Sequence, residues 1–305
     1  MRILLAVDGS VSSNRATQLV SSFPLPPDSI VRVISVQRHA TDVLATSWAN
    51  FGGPMGHAVE TDAQVDARHH REAVDRAELT LNRPGLRVEG FVLRGRSASA
   101  IVDEATSFHA DLVVLGSRGH GAIATMVLGS TASEVVDHAP CPVLVARSNS
   151  LGSIAFADDG STTARSAEAV FSTWPIFAGR HVDVLTVAQT SLPVSAGFVS
   201  GLHDQVVASY ATSVDKAREE IAHESASAAQ RVHESGFDAV PVALEGQPAG
   251  EIVRFAAERG TGTIVMGTRG HTGIARLLLG SVARNVLLHA PCSVLVVRGS
   301  GTAAA

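Results

Sequence analysis

The chain has almost no lysine. Lys216 is the only one among 305 residues, and arginine supplies nearly all of the positive charge. The formal net charge is −5 at pH 7. A nucleic-acid surface needs a basic patch that displaces counterions from phosphates, so this composition argues against nucleic-acid binding. The absence of lysine from every glycine-rich stretch also excludes a P-loop, which requires G-x4-G-K-[ST].

Long apolar runs, cysteines and aromatic residues are scarce as well. No run reaches the roughly 18 to 20 apolar residues that a membrane span requires, and the apolar start of the chain is too short for a secretory signal. The two cysteines, Cys141 and Cys292, are interpreted as small core residues in a reducing compartment. We therefore expect a cytoplasmic protein without a membrane span, with cores built of aliphatic side chains.

A tandem repeat dominates what the sequence does contain. The stretch GSRGHGAIATMVLGS, residues 116–130, returns as GTRGHTGIARLLLGS, residues 267–281, with nine of the fifteen positions identical. Asp8 and Asp159 are separated by the same 151 residues. The repeat predicts two domains, residues 1–147 and 152–298, joined by a short polar linker.

Each repeat alternates short apolar runs with longer amphipathic segments. A run such as Leu112–Leu115 is too short for a helix and is typical of a buried parallel strand. We predict an α/β fold of two tandem Rossmann-like domains, each with a five-stranded, mostly parallel sheet flanked by helices. In such sheets, ligands bind beyond the carboxyl ends of the strands, where the strand order switches. The Gly-, Pro- and Ser-rich stretches at about 39–59 and 190–203 predict irregular loops near these ends.

The glycine-rich stretch itself has the features of a phosphate cradle. A strand stops at Gly116, and Gly119 lets a ligand approach the main chain closely. Gly129 and Ser130 open a helix that Ser130 is expected to cap. Free N–H groups and the helix dipole at that point bind phosphate without a lysine.

Both copies fit the spacing G-x2-G-x9-G-[ST], and the chain resembles the ATP-binding branch of the universal stress protein family over nearly its whole length. The resemblance implies an adenine nucleotide alpha hydrolase-like fold and two ATP molecules per chain, expected with Mg²⁺. It also implies pseudo-twofold pairing of the two domains through their last strands, and we expect a homodimer. The implied nucleotide-binding residues are Asp8, Val36, Gly116, Arg118, Gly119, Gly129, Ser130 and Thr131 in the first copy, and Asp159, Val187, Gly267, Arg269, Gly270, Gly280, Ser281 and Val282 in the second.

Several of these residues have a plainer interpretation. Asp8 and Asp159 can simply cap the helices that follow them, and Arg118 and Arg269 can be exposed loop residues. Asp158 occupies the position of Val7 in the first copy. Its carboxylate either faces the ligand, which would make the second site more dependent on Mg²⁺, or points away into a polar patch.

No Ser-His-Asp grouping, metal-ligand spacing or paired-carboxylate site is visible, so we assign no catalytic residues and leave the metal ligands unknown. The prediction is a nucleotide-responsive regulator of stress or growth, with slow ATP hydrolysis at most and an unidentified protein partner. A genuine ATPase or phosphotransferase is one alternative. A structural dimerisation module with vestigial sites is another, and the two intact loops count against it.

Overall fold

The computed structural model describes residues 1–37, 56–119, 128–189, 203–268 and 279–298. The two predicted irregular loops lie largely outside this part of the chain, as do the middles of both glycine-rich stretches, including Arg269 and Gly270. By contact, the chain forms two compact units. The first is built on Met1–Leu151 and includes Cys292–Val296, and the second is built mainly on Gly152–Ile274 and Gly280–Pro291.

The first repeat folds as alternating strands and helices. Its strands are β1 (Arg2–Ala6), β2 (Ile30–Gln37), β3 (Arg87–Arg94), β4 (Leu112–Gly116) and β5 (Val143–Ala146), and its helices are α1 (Val11–Ser21), α2 (Gly56–Leu81), α3 (Ser97–Ser107) and α4 (Ser130–His138). The strands lie in the order β3-β2-β1-β4-β5, and all four pairings are parallel. Within the same compact unit, Val294–Val296 run antiparallel to β5, with Val294 opposite Val145.

The second repeat follows the same sequence of elements. Its strands are β6 (Ile154–Ala157), β7 (His181–Ala188), β8 (Asp238–Glu245), β9 (Thr263–Gly267) and β10 (Ser293–Val297), and its helices are α5 (Thr162–Thr173), α6 (His203–Glu234), α7 (Pro248–Arg259) and α8 (Ser281–His289). Within the second unit the order is β9-β6-β7-β8, again parallel. The predicted α/β fold with a mostly parallel sheet is confirmed.

The central strands are buried on both faces, which explains their unbroken apolar sequence. Leu4, Leu5, Val113 and Val114 are all completely buried. Helices cover both faces of a parallel sheet, so successive side chains of a central strand enter apolar surroundings on either side. β3, at the edge, is only partly buried along its length. None of the helices in the described ranges is long and apolar enough to cross a membrane.

The strand order places a switch point at the carboxyl ends of β1 and β4. From β1 the chain moves to β2 on one side, and it later returns to β4 on the other. The connections that leave β1 and β4 therefore diverge, and they leave a crevice between them. In the second unit the equivalent neighbours are β6 and β9. The predicted aspartates and glycine-rich loops follow these four strands.

Candidate functional site

Asp8 shapes the turn that follows β1. Its Oδ1 accepts a hydrogen bond from the Ser10 N–H at 3.0 Å, and Gly9 between them has a φ of 81°, which glycine adopts without strain. The N-cap of α1 is Ser10, whose Oγ accepts from the Ser13 N–H at 3.1 Å. The capping alternative for Asp8 is therefore not what the geometry shows, since its carboxylate braces the turn and leaves the cap to Ser10.

The glycine-rich loop after β4 meets this aspartate directly. A Cβ placed on Gly119 would lie 2.8 Å from Asp8 Oδ2, so only glycine leaves this carboxylate undisturbed. The main chain of half-buried Arg118 is fixed by two serines of the first turn. Its N–H donates to Ser12 Oγ at 3.2 Å, and its carbonyl accepts from Ser10 Oγ at 3.3 Å. Asp8, Arg118 and Gly119, predicted from distant parts of the sequence, are thus neighbours.

Helix α4 begins beside the same loop. The Gly129 N–H donates to the Ser117 carbonyl at 2.8 Å, and Gly129 is the N-cap, so the expectation that Ser130 caps the helix is wrong. Ser130 is instead the first helical residue and is exposed, and Thr131 follows half-buried. A glycine cap contributes no side-chain oxygen, so the N–H groups of this first turn receive no cap bond and form a positive end suited to an anion.

Gly116 has a different part in the site from that of Gly119. A Cβ on Gly116 would lie 2.7 Å from the main-chain carbon of Ser12, and one on Gly267 would lie 2.8 Å from that of Thr163. The close approach at these two glycines is therefore made by the first turns of α1 and α5. These two glycines let a helix pack closely against the end of a strand, directly below the candidate site.

The second copy repeats this framework. Asp159 Oδ1 accepts from the Ser161 N–H at 3.1 Å, and Gly280, the N-cap of α8, donates to the Thr268 carbonyl at 2.8 Å. Ser281 is exposed and Val282 is half-buried in the first turn of α8. Both residues line a cavity of about 410 Å³, within the usual range for small-molecule sites. Its other polar lining residues are Gln189, Gln247, Asn285 and His289.

Val36 and Val187 lie where the second strand of each copy outruns the first. The pairing of β1 with β2 ends at Ala6 opposite Ile34, but β2 continues to Gln37. Val36 is 8% exposed, so its side chain belongs to the core. Val187 has the same place in β7, beyond the last pairing of β6 with Leu185, and is half-buried. A ligand would meet these two positions through the main chain.

Asp158 points into a polar patch. Its main chain takes the place of Val7, because its N–H donates to the Leu185 carbonyl at 2.9 Å as that of Val7 does to Ile34 at 2.8 Å. Its side chain is 5% exposed, accepts from the Gly160 N–H at 2.8 Å and lies 3.3 Å from Arg231. Arg231 also binds Glu168 at 2.9 Å, and burial raises the pKa of Glu168. Of the two alternatives for Asp158, the geometry supports the one that faces away from the ligand.

One grouping that the sequence did not reveal is Ser35, His70 and Asp66. The Ser35 hydroxyl lies 2.7 Å from His70 Nδ1, and His70 Nε2 lies 3.5 Å from Asp66. Ser35 is 1% exposed and donates its hydroxyl hydrogen to the Val7 carbonyl at 2.6 Å. A buried hydroxyl committed to a carbonyl cannot act as a nucleophile, so this grouping is structural. Asp66 and His70 are one helical turn apart on α2, but Ser35 lies on β2, and only the fold brings it to His70.

Other reactive groups in the described ranges include potential metal-binding side chains and the two cysteines. Within them, no group of three or more His, Cys, Asp and Glu residues is placed to hold a metal ion. Cys141 and Cys292 are both buried, as expected of small core residues.

Comparison with known proteins matches this geometry to one family. The sequence matches the description Universal stress protein family over residues 1–147 and again over residues 152–298. It is 33% identical over 145 residues to a universal stress protein of Thermus aquaticus, covering 48% of this chain and 97% of that protein. It is also 31% identical over 201 residues to one of Mycobacterium tuberculosis, where the alignment spans 64% of each chain.

Among solved structures, a universal stress protein from Archaeoglobus fulgidus aligns with 97% of this chain and 98% of its own, with a TM-score of 0.64 and 16% identity. At that identity the likeness supports the fold. The two family matches cover nearly the whole sequence and coincide with the two repeats. The chain therefore belongs to the universal stress protein family and carries two tandem copies of its domain.

Proposed function

We propose that each copy binds an adenine nucleotide, ATP, and that the protein is a nucleotide-responsive regulator of stress or growth. The observation that carries the proposal is the meeting of Asp8 with Gly119, next to the glycine-capped start of α4. A glycine at that point leaves room for phosphate, and the helix start supplies N–H donors and the positive end of a dipole.

The residues divide the ligand between them. The first turns of α4 and α8 hold the phosphates, with Arg118 and Arg269 as additional donors, since arginine binds phosphate well. Asp8 and Asp159 face the nucleoside part, and the main chain at Val36 and Val187 faces the base. This division follows the family resemblance, and it is compatible with the positions of those residues that the structure describes.

The site favours binding over catalysis. The Ser35–His70–Asp66 grouping has its serine hydroxyl buried and hydrogen-bonded to the Val7 carbonyl, and the phosphate cradle contains no lysine. Hydrolysis of ATP is therefore expected to be slow at most. Mg²⁺ would accompany ATP through the oxygen ligands of its phosphates. The proposal also includes a homodimer, pairing of the two copies through their last strands, and a cytoplasmic location.

Mass spectrometry of freshly purified protein tests the proposal. The protein is denatured and the small molecules that it releases are identified. ATP or another adenine nucleotide, released from the wild type and lost from a Gly119→Glu/Gly270→Glu variant, supports binding at these loops. Wild-type protein that neither carries an adenine nucleotide nor takes one up when ATP is supplied would favour the structural module instead. Rapid release of ADP on incubation with ATP would favour the ATPase.

A further inference from the structure

Two adjacent histidines on the long helix α2, His69 and His70, hold the turn at Asp8 in the first copy through hydrogen bonds. His69 Nε2 lies 3.0 Å from the main-chain carbonyl oxygen of Asp8. A carbonyl oxygen can only accept a hydrogen bond, so Nε2 must carry the proton. The same nitrogen would lie 2.9 Å from a Cβ on Gly9, so a side chain at Gly9 would displace this ring. The turn that carries Asp8 is thus fixed to the helix at a point next to the site.

The second histidine acts through Ser35. Because the Ser35 hydroxyl gives its hydrogen to the Val7 carbonyl at 2.6 Å, its oxygen must accept from His70 Nδ1 at 2.7 Å. His70 therefore holds Ser35, and Ser35 holds the peptide that precedes Asp8. The two histidine rings meet edge to face, with centroids 6.0 Å apart. Consecutive carbonyls, those of Val7 and Asp8, are in this way tied to consecutive residues of one helix.

The second copy ties the same turn to its long helix by different chemistry. Asp158 replaces Val7, and its buried carboxylate reaches Arg231 on α6 at 3.3 Å while accepting the Gly160 N–H at 2.8 Å. Ser225, also on α6, donates to the Val184 carbonyl at 3.1 Å and fixes the helix to β7. The histidine contacts of the first copy are thus replaced by an ion pair between Asp158 and Arg231.

We propose that the long helix of each copy positions the aspartate of its own nucleotide site, through His69 and His70 on α2 and through Arg231 on α6. This inference rests on the proposed function, because it assigns a consequence to nucleotide binding. The coupling is reciprocal by thermodynamic linkage. If a helix contact tightens nucleotide binding by some factor, the bound nucleotide strengthens that contact by the same factor. Nucleotide binding is therefore expected to stabilise α2 in the first copy and α6 in the second.

The test measures ATP affinity one copy at a time, by calorimetry in full-length protein. With the second site disabled by Gly270→Glu, His69→Ala is expected to weaken ATP binding about fivefold, the effect of one lost hydrogen bond of ordinary strength. His69→Gln, which keeps an N–H donor at similar reach, restores the affinity to within about twofold of the parent. Arg71→Ala is the matched control, because Arg71 lies on the exposed side of the same helix and pairs there with Asp75 at 3.4 Å.

The same experiment is then done on the second copy, with the first site disabled by Gly119→Glu. Arg231→Gln is expected to weaken ATP binding there, whereas exposed Gln230→Ala, its neighbour on α6, leaves it unchanged. Hydrogen exchange adds a readout that general destabilisation would not reproduce. ATP should slow exchange of amides in residues 64–81 in the wild type, fail to do so in His69→Ala, and do so again in His69→Gln.

The outcomes separate this inference from the proposed function. If the wild type binds no adenine nucleotide, both fail. If it binds ATP and His69→Ala leaves the first-copy affinity unchanged, the positioning role alone is overturned. It is also overturned if His69→Ala, with both loops intact, weakens the two sites equally, because that pattern indicates a general loss of stability.

Discussion

At the scale of single residues, the two glycines at either side of Arg118 do different work. Gly116 has the main chain of α1 against it, whereas Gly119 is exposed and has the Asp8 carboxylate near the position of a Cβ. The same spacing pattern therefore contains one glycine required by packing and one required by the site. Substitutions at the two positions should separate folding from binding.

At Gly119, we expect Gly119→Glu to abolish ATP binding in the first copy, since a second carboxylate beside Asp8 repels phosphate. The fold should survive, because Gly119 is exposed and the atom nearest the new Cβ is the end of the Asp8 side chain, which can move. Gly119→Gln, which has the same size without the charge, should lose less affinity. Calorimetry with the second site disabled measures both variants. Equal losses for the two would show that bulk, and not charge, is responsible.

At Gly267, substitution should affect stability. Gly267→Ala places a methyl group 2.8 Å from the main chain of Thr163 and should cost about 1–3 kcal/mol of unfolding free energy. Gly250→Ala is the matched control, since Gly250 lies in α7 with no atom of the described residues, apart from its own stretch of helix, within 4 Å of a Cβ there, and alanine favours a helix. Urea denaturation compares the two. A Gly267→Ala protein as stable as Gly250→Ala would contradict the packing role.

Asp158 leads to a prediction about Mg²⁺. Its carboxylate is bound by Arg231 and the Gly160 N–H, away from the ligand, so it should add no charge to the second site. We expect Asp158→Val, the residue of the first copy, to leave unchanged the ratio of ATP affinities measured with Mg²⁺ and with a chelator. A ratio that falls on substitution would mean that the carboxylate faces the phosphates after all.

At the scale of elements, the amino ends of β7 and β8 are joined by a charged pair. His181 Nδ1 lies 2.7 Å from Asp238, and its Nε2 lies 3.3 Å from Asp183. The hydrogen bond to Asp238, with a further one to Asp183, raises the pKa of His181 above its ordinary value of 6.5. The charged imidazolium is therefore favoured in the folded protein relative to the unfolded chain.

The sign of the pH effect follows from that direction. The stability contributed by His181 is fully present below pH 6.5 and is lost as the pH rises through the raised pKa of the folded state. The stability advantage of wild type over His181→Gln should thus be larger at pH 5.5 than at pH 8.5. The effect is small, because the His181 side chain is 41% exposed. Urea denaturation at both pH values measures it, and an advantage independent of pH would contradict the ion pairs.

Sequence patterns predicted the strands and helices well, because apolar runs such as Leu112–Leu115 and glycine-serine pairs reflect the local needs of buried strands and of helix starts. They failed where a partner is distant in sequence. Arg231 lies 73 residues after Asp158 and His70 lies 35 after Ser35, so neither contact leaves a local signal. The sequence predicted the N-cap of α4 at Ser130, one residue after the observed cap at Gly129. The Gly129 N–H donates to the carbonyl of Ser117, the residue after β4, and this contact is not visible in the local sequence.

At the scale of the whole molecule, two copies of one domain each retain an aspartate turn, a packing glycine and a glycine-capped helix start. They differ in what holds the turn, which is histidine in the first copy and an arginine-carboxylate pair in the second. The framework of the proposed nucleotide site is therefore present twice, and the contacts that support it differ between the copies.

Calorimetric titration of the full chain with ATP tests the central claim most directly. We predict two ATP molecules per chain in the wild type, and one in Gly119→Glu and in Gly270→Glu. We predict none in the double variant, with an unchanged circular dichroism spectrum. Wild-type protein that binds no ATP, or a double variant that still binds two, would contradict the account.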